Sequence, residues 1–263
     1  MFYLWIHPVK ISLHKWYLDV VSDDGRVGIG YAASLKVGFL PMIRWSSRFL
    51  SENGGVTNEV QRWRKVCFPK RISAGWQWTS PARESGIWSD GHPGRSVPLA
   101  LEDGVEIIWT CLAAKSNCSL NGREEGNGYV EKIQIELGSP RLPFKDLWWG
   151  RAHAGTESLV WIQWARGRDR CWLLRNGQLV DGRLSSHKDG SVQAVIGNEV
   201  WKVEPVRVLR ERNLMRALPR WIVAMGGELP FARERKFLGS ATCEIDGSSR
   251  SMGSAIGEIV QWR

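Results

Sequence analysis

Apolar and polar residues alternate with a period of two along most of the chain, which is the repeat of a β-strand. Trp16, Leu18 and Val20 alternate with Tyr17, Asp19 and Val21. Ser22-Asp23-Asp24-Gly25 then reads as a turn, and Val27 to Leu35 as the returning strand. Gly104 precedes a strand over Val105–Leu112, and Asn121-Gly122 separates another pair. Glu125-Gly126-Asn127-Gly128 introduces Tyr129–Leu137, where Tyr129, Ile133, Ile135 and Leu137 share one face and Lys132, Gln134 and Glu136 the other. Further on, Ser158–Trp164 and Cys171–Leu174 flank Ala165-Arg166-Gly167-Arg168-Asp169. Turns are expected at Arg175-Asn176-Gly177-Gln178, Asp189-Gly190 and Asp246-Gly247-Ser248-Ser249, with a last strand over Gly253–Trp262. Short strands with closely spaced Gly, Asn and Asp turns predict an all-β antiparallel sandwich or barrel, not a parallel α/β sheet. Helix is limited to few short segments, Asn58–Val66 and Leu214–Met225, the second interrupted by Pro219. Gly138-Ser139-Pro140-Arg141-Leu142-Pro143 breaks the pattern, so an internal boundary is placed near residue 140, dividing the chain into 1–139 and 140–263.

Composition sharpens this picture at one point. The 263 residues, 43% hydrophobic and 24% charged, suit an ordinary globular chain with a large core. Its 16 tryptophans fall eight before residue 140 and eight after it, many of them on strand-like stretches. Aromatics at that density suit wide β-surfaces and a roomy apolar pocket.

The formal charge of +9 raises nucleic acid or an anionic membrane as partners. No nucleic-acid-binding motif accompanies the basic residues, and no nucleic-acid partner is expected. Arg62, Arg64, Lys65, Lys70 and Arg71 surround Trp63 and Phe68, which is the pattern of a basic surface with peripheral membrane contact or of a solvated basic face. Five cysteines (Cys67, Cys111, Cys118, Cys171, Cys243) form no CxxC pair and no metal-ligand cluster with the histidines, so no metal site is expected. Scattered, odd-numbered thiols argue for a reducing compartment, and Met1–Leu13 lacks the form of a signal peptide. A cytoplasmic location is expected, possible membrane contact included.

The alternation is broken where chemistry is expected. Glu131 stands on the apolar face of its strand among Tyr129, Ile133 and Ile135, and a carboxylate there is costly unless paired or neutral. Glu258 repeats the anomaly among Ile256, Val260 and Trp262, and Asp19 lies between hydrophobic neighbours. In Trp148-Trp149-Gly150-Arg151-Ala152-His153 a guanidinium and an imidazole two residues apart point the same way along an extended chain. Arg151 could pair with Glu131 merely to satisfy it, and a lone histidine is more often a hydrogen-bonded core residue than a catalyst.

At these residues a resemblance emerges. Trp16-Tyr17-Leu18-Asp19 followed by Ser22-Asp23-Asp24-Gly25-Arg26 resembles the opening motif of bacterial carotenoid 1,2-hydratases (hydroxyneurosporene synthases). Gly128-Tyr129-Val130-Glu131-Lys132 resembles the Tyr-x-Glu-Lys segment of that group and of tocopherol cyclases. Leu147-Trp148-Trp149-Gly150-Arg151 with Ser158-Leu159-Val160-Trp161-Ile162 is similar to the same pattern. The chain is shorter than typical hydratases, and Ile133-Gln134-Ile135 replaces the Trp-Gly continuation of the cyclases.

The resemblance implies two lipocalin-like β-barrel or sandwich halves packed side by side, a hydrophobic small-molecule substrate of isoprenoid, polyene or polyketide type, and no cofactor. It implies water addition to an alkene, proton-initiated cyclisation or a pericyclic closure. A carboxylic acid in an apolar pocket stays protonated and can protonate an alkene, and aromatic faces stabilise the resulting cation. Asp19 and Glu131 are the acid/base candidates, Tyr17, Arg151 and His153 their orienting partners, and Glu258 a weaker addition. Trp16, Trp149, Trp161 and Tyr129 are candidates for the substrate-binding wall. A carrier with the same pocket and no chemistry, and a nucleic-acid-binding barrel, are the competing readings.

Overall fold

A computed structural model describes residues 10–52, 55–63, 66–102, 104–138, 142–167, 169–213, 232–247 and 249–262. Its strands run in chain order as β1 (Ile11–Val21), β2 (Val27–Val37), β3 (Ile43–Glu52), β4 (Gly55–Trp63), β5 (Lys70–Ile72), β6 (Gly75–Thr79) and β7 (Ser85–Pro93). Then follow β8 (Ser96–Glu102), β9 (Val105–Leu120), β10 (Arg123–Leu137), β11 (Asp146–Ala154), β12 (Glu157–Ala165) and β13 (Arg170–Arg175). The last are β14 (Gln178–Val180), β15 (Arg183–Ser186), β16 (Val192–Ile196), β17 (Glu199–Asn213), β18 (Ala232–Ile245) and β19 (Ser249–Trp262).

Two antiparallel sheets result. The first has the order β4-β3-β2-β1-β10-β9-β7-β6-β5, with β8 on β9; the second is β14-β13-β12-β11-β19-β18-β17-β16-β15. The all-β, two-half lipocalin-like architecture that the sequence implies is therefore the one observed. Among the described residues there is no helix. The helix expected over Asn58–Val66 is instead the edge strand β4, whose Trp63, Gln61 and Glu59 pair with Trp45, Ser47 and Phe49 of β3. A pairing edge overrides the weak helical pattern of so short a stretch. The Leu214–Met225 helix expectation falls outside the described residues.

Turn chemistry places the hairpins where the sequence put them. Asn121-Gly122 joins Leu120 to Arg123 with φ of 50° and 80°, and Asn176-Gly177 joins Arg175 to Gln178 with φ of 50° and 78°. Two left-handed residues in succession give the twist a two-residue hairpin needs, and Asn-Gly adopts them at least cost.

The strand period of two sorts the core into three layers. Leu18, Val20, Trp78, Trp88, Ala113, Cys118 and Val130 form a cluster drawn from the first sheet alone, so that sheet curls over its own contents. Ala152, Leu159, Trp161, Leu173, Trp201 and Phe237 do the same for the second. Between them lies a cluster with members from both, including Tyr17, Tyr31, Trp109, Tyr129, Trp149, Val160 and Ile256. Contacts at the rims add to this seam: Arg207 Nη2 donates to Gly25 O at 2.9 Å, Lys115 Nζ to Gly155 O at 2.6 Å, and His92 Nδ1 meets Ser158 Oγ at 2.9 Å.

Candidate functional site at the seam

Two cross-strand rows face one another across the seam. On the first sheet, strand register aligns Tyr31, Tyr17, Glu131 and Cys111. On the second it aligns Lys236, Glu258, Trp149 and Ile162. In the adjoining row Asp19 is opposite Tyr129 on the first sheet, and Arg151 lies between Ile256 and Val160 on the second.

Glu131 is the centre of this layer. Its Oε2 accepts hydrogen bonds from Trp109 Nε1 (2.7 Å), Tyr129 Oη (2.8 Å) and Trp149 Nε1 (2.9 Å). Burial pushes its carboxyl above the ordinary value of 4.5, against the pull of those donors and of Lys15. Because all these donors converge on Oε2, a proton on Glu131 belongs on Oε1. The side chain keeps 8% exposure.

Tyr17 packs edge-on to Trp149 with centroids 4.7 Å apart and to Tyr31 at 5.4 Å. Among the described residues, its hydroxyl and that of Tyr31 are buried without a hydrogen-bond partner. Burial raises the Tyr17 phenol well above its ordinary range, with the Asp19 charge adding to the effect.

Asp19 and Arg151 form a fully buried ion pair. Arg151 Nη2 donates to Asp19 Oδ1 at 2.5 Å, and Nε approaches Oδ1 and Oδ2 at 3.1 and 3.3 Å. Burial raises the Asp19 carboxyl and Arg151 pulls it back. Behind Arg151 stands His153, with Nδ1 3.2 Å from Arg151 Nη1 and Nε2 3.0 Å from Ala114 O. A guanidinium only donates, so Nδ1 accepts and Nε2 carries the proton given to the carbonyl. Burial and the neighbouring guanidinium hold His153 well below its ordinary value of 6.5, that is, neutral. Both ring nitrogens are thus engaged in bracing Arg151.

Glu258 joins this layer through Lys236, with which it pairs. Lys236 also meets Glu234 at 2.9 Å, and its Nζ lies 5.5 Å from the ring centroids of both Tyr17 and Tyr31. Burial opposes the Lys236 charge, yet Glu234 and Glu258 hold the ammonium above the usual lysine range. Arg212 closes the network on Glu234 at 2.8 Å.

The structure thus brings together Tyr17, Asp19, Tyr129, Glu131, Trp149, Arg151, His153 and Glu258. It does not bring in Trp16 or Trp161. Trp16 lies on the opposite face of β1 from Tyr17, tilted against Trp76 at 5.5 Å. Trp161 is in the core of the second half, its ring filling the space over Gly150. Arg151 partners Asp19, not Glu131. Sequence reasoning missed Trp109, Tyr31, Glu234 and Lys236. In Ala232-Arg233-Glu234-Arg235-Lys236 charges occupy both faces, so no contrast marks the inward pair. Trp109 is one tryptophan among 16.

A cleft of about 520 Å³ opens between the halves at the His153 end, walled by Val21, Asn127, Val206, Leu238 and Met252. Glu131 is not among its lining residues; His153 and then the Arg151–Asp19 pair lie on that side of the site. Among the described residues, no group of three His, Cys, Asp or Glu side chains is placed to hold a metal ion.

No family model matches the chain, and no curated protein matches it by sequence. Solved structures do. CghA, solved with Sch210972, superposes with a TM-score of 0.54 at 11% identity, over 95% of this chain and 88% of its own. Kievitone hydratase from Nectria haematococca gives 0.52 at 9% identity, over 95% and 88%. An AttH-type protein of Nitrosomonas europaea gives 0.51 at 12%, over 97% and 93%. At these identities the likeness is one of fold, extending over nearly the whole of each chain.

Proposed function

We infer that the protein is a hydratase- or cyclase-type enzyme that protonates an alkene of a hydrophobic isoprenoid, polyene or polyketide-like substrate, with Glu131 as general acid. The observation that carries this reading is the asymmetric grip on Glu131, in which three donors hold Oε2 and leave Oε1 for the proton. Burial favours the neutral acid, which keeps Oε1–H available to higher pH than an exposed glutamate would. Transfer of that proton to one alkene carbon leaves a carbocation at the other and a carboxylate on Glu131. As charge builds on Oε2, the three donors stabilise it, which lowers the barrier.

The cation lies beside Tyr17, Tyr129 and Trp149, whose π-faces stabilise positive charge without bonding to it. In hydration, water attacks the cation and its surplus proton returns to Glu131; in cyclisation, a second double bond or hydroxyl of the substrate attacks instead, and the proton then lost from the ring carbon or the oxonium returns to the Glu131 carboxylate. Asp19, Arg151 and His153 are positioning residues, since their polar atoms are spent on one another and on the Ala114 carbonyl. The shared fold with kievitone hydratase supports hydration.

The test is incubation with kievitone and with an acyclic carotenoid in heavy-oxygen water, followed by mass spectrometry. Labelled water in the product, or a substrate isomer, is expected with the wild type and lost with Glu131→Gln. A variant that turns over at the wild-type rate removes Glu131 from the chemistry. Ligand binding without turnover by the wild type leaves the protein a carrier.

A further inference from the structure

Among the described residues, nothing covers the apolar side chains of the β2–β3 connection. Phe39 is 97% exposed and Met42 51%, with Pro41 exposed between them. The turn is nevertheless firmly mounted. Gly38 N donates to Lys10 O at 2.8 Å and Leu40 N to Val37 O at 3.0 Å, while Leu40 and Ile43 pack on Ile11, Leu35, Val37 and Leu137. One side of the turn is therefore anchored, and Phe39 and Met42 are held out on the other.

Cations ring this tip. Lys36 and Arg44, the residues flanking the turn on β2 and β3, are both exposed, and Lys10 has a side chain 74% exposed. The basic segment singled out in the sequence reaches the same end of the sheet: Trp45 near the start of β3 pairs with Trp63 at the end of β4, their ring centroids 6.0 Å apart. Trp63 is 39% exposed and the adjacent Arg62 is exposed. On this rim the acidic Glu106 and Glu136 belong to β9 and β10, and Glu136 is engaged by Ser12 at 2.5 Å and Lys10 at 3.9 Å. The basic side is the side of Phe39.

A rigid hairpin tip with projecting Phe and Met, interfacial Trp and a collar of Lys and Arg matches the layered polarity of a bilayer surface. Apolar tips enter the acyl boundary, indoles settle at the headgroups, and cations meet anionic phosphates. We propose that the β2–β3 tip, with Lys10, Lys36, Arg44, Arg62 and Trp63, docks this protein peripherally on anionic lipid membranes. This docking requires nothing of the chemistry at Glu131.

Sedimentation with large unilamellar vesicles tests it. Wild-type protein is expected to pellet with equimolar phosphatidylglycerol and phosphatidylcholine and far less with phosphatidylcholine alone, and to be released as NaCl is raised to about 0.5 M. The double substitution Phe39→Asp, Met42→Asp should weaken binding about ten-fold or more, and Lys36→Glu, Arg44→Glu by a comparable factor. All four side chains are on the surface, so folding is not at stake. Wild type that stays in the supernatant, or a double variant that pellets like wild type, overturns the proposal. So does sedimentation velocity without lipid that shows a wild-type dimer which Phe39→Asp dissociates, because the tip would then be a contact between copies.

Discussion

Glu131 accepts from Trp109, Tyr129 and Trp149 through one oxygen, and this has two measurable results. Glu131→Gln keeps an acceptor for the same donors, so the fold should survive while turnover falls about 10²- to 10⁴-fold, the usual range for losing a general acid. Stability should carry the same signature. The folded carboxyl binds its proton more tightly than the unfolded one, so its contribution is fully present below about 4.5 and is lost as pH rises through the elevated folded value. Urea melts of wild type should weaken over that interval, and those of Glu131→Gln should be flatter. Activity should decline over the same interval, as the acid ionises. The Asp19–Arg151 pair predicts differently. Arg151→Met strands a buried carboxylate and should cost about 3–5 kcal/mol in urea unfolding, with much of that recovered on adding Asp19→Asn. Both carboxylates were legible in the sequence because a charge on an apolar face is a contrast. Their partners were not legible. Whether Arg151 meets Glu131 or Asp19 depends on how the sheets dock, which strand periodicity does not encode.

At the level of the strand, alternation gave the faces correctly but not which face looks into the seam. Trp16 and Trp161, expected in the wall, lie away from the seam for this reason: Trp16 is half-buried against Trp76 on the opposite face of β1, and Trp161 is in the core of the second half. The β9–β10 pairing holds a feature that alternation hides. Its register shifts between Gly128 and Val130 and again between Val130 and Glu131. Across these irregularities Cys111 and Ala114, three residues apart, both belong to the seam cluster. Bulges re-aim side chains in this way, and here they bring the Ala114 carbonyl to His153 beside the strand carrying Glu131. Close approach is equally hidden. A Cβ on Gly150 would lie 2.2 Å from Trp161 Cζ2. Gly150→Ala should therefore push the indole aside and lower the unfolding free energy by about 1–3 kcal/mol, read by chemical denaturation. The Asn-Gly hairpins were legible because backbone chirality alone selects them.

For the molecule as a whole, the seam holds buried charges contributed by both halves. Lys236 of the second half lies over Tyr17 and Tyr31 of the first, and Glu234 and Glu258 depend on it. Unfolding should consequently be a single calorimetric transition, with two resolved transitions counting against so tight a coupling. A substitution outside the site tests the docking directly. Gly177, at φ 78° in a turn of the second half, lies so close to Pro93 of the first that an added Cβ would be 1.9 Å from its carbonyl oxygen. Gly177→Ala should cost about 1–3 kcal/mol and lower the melting temperature of the whole chain, not of one part. The grip on Glu131 spans the two halves. Two of its donors, Trp109 and Tyr129, come from the first half and the third, Trp149, from the second. Neither half alone supplies the full set of donors. Exchanging or removing either half would therefore leave Glu131 buried with part of its hydrogen-bonding missing, so the carboxylate can be satisfied only when both halves are docked.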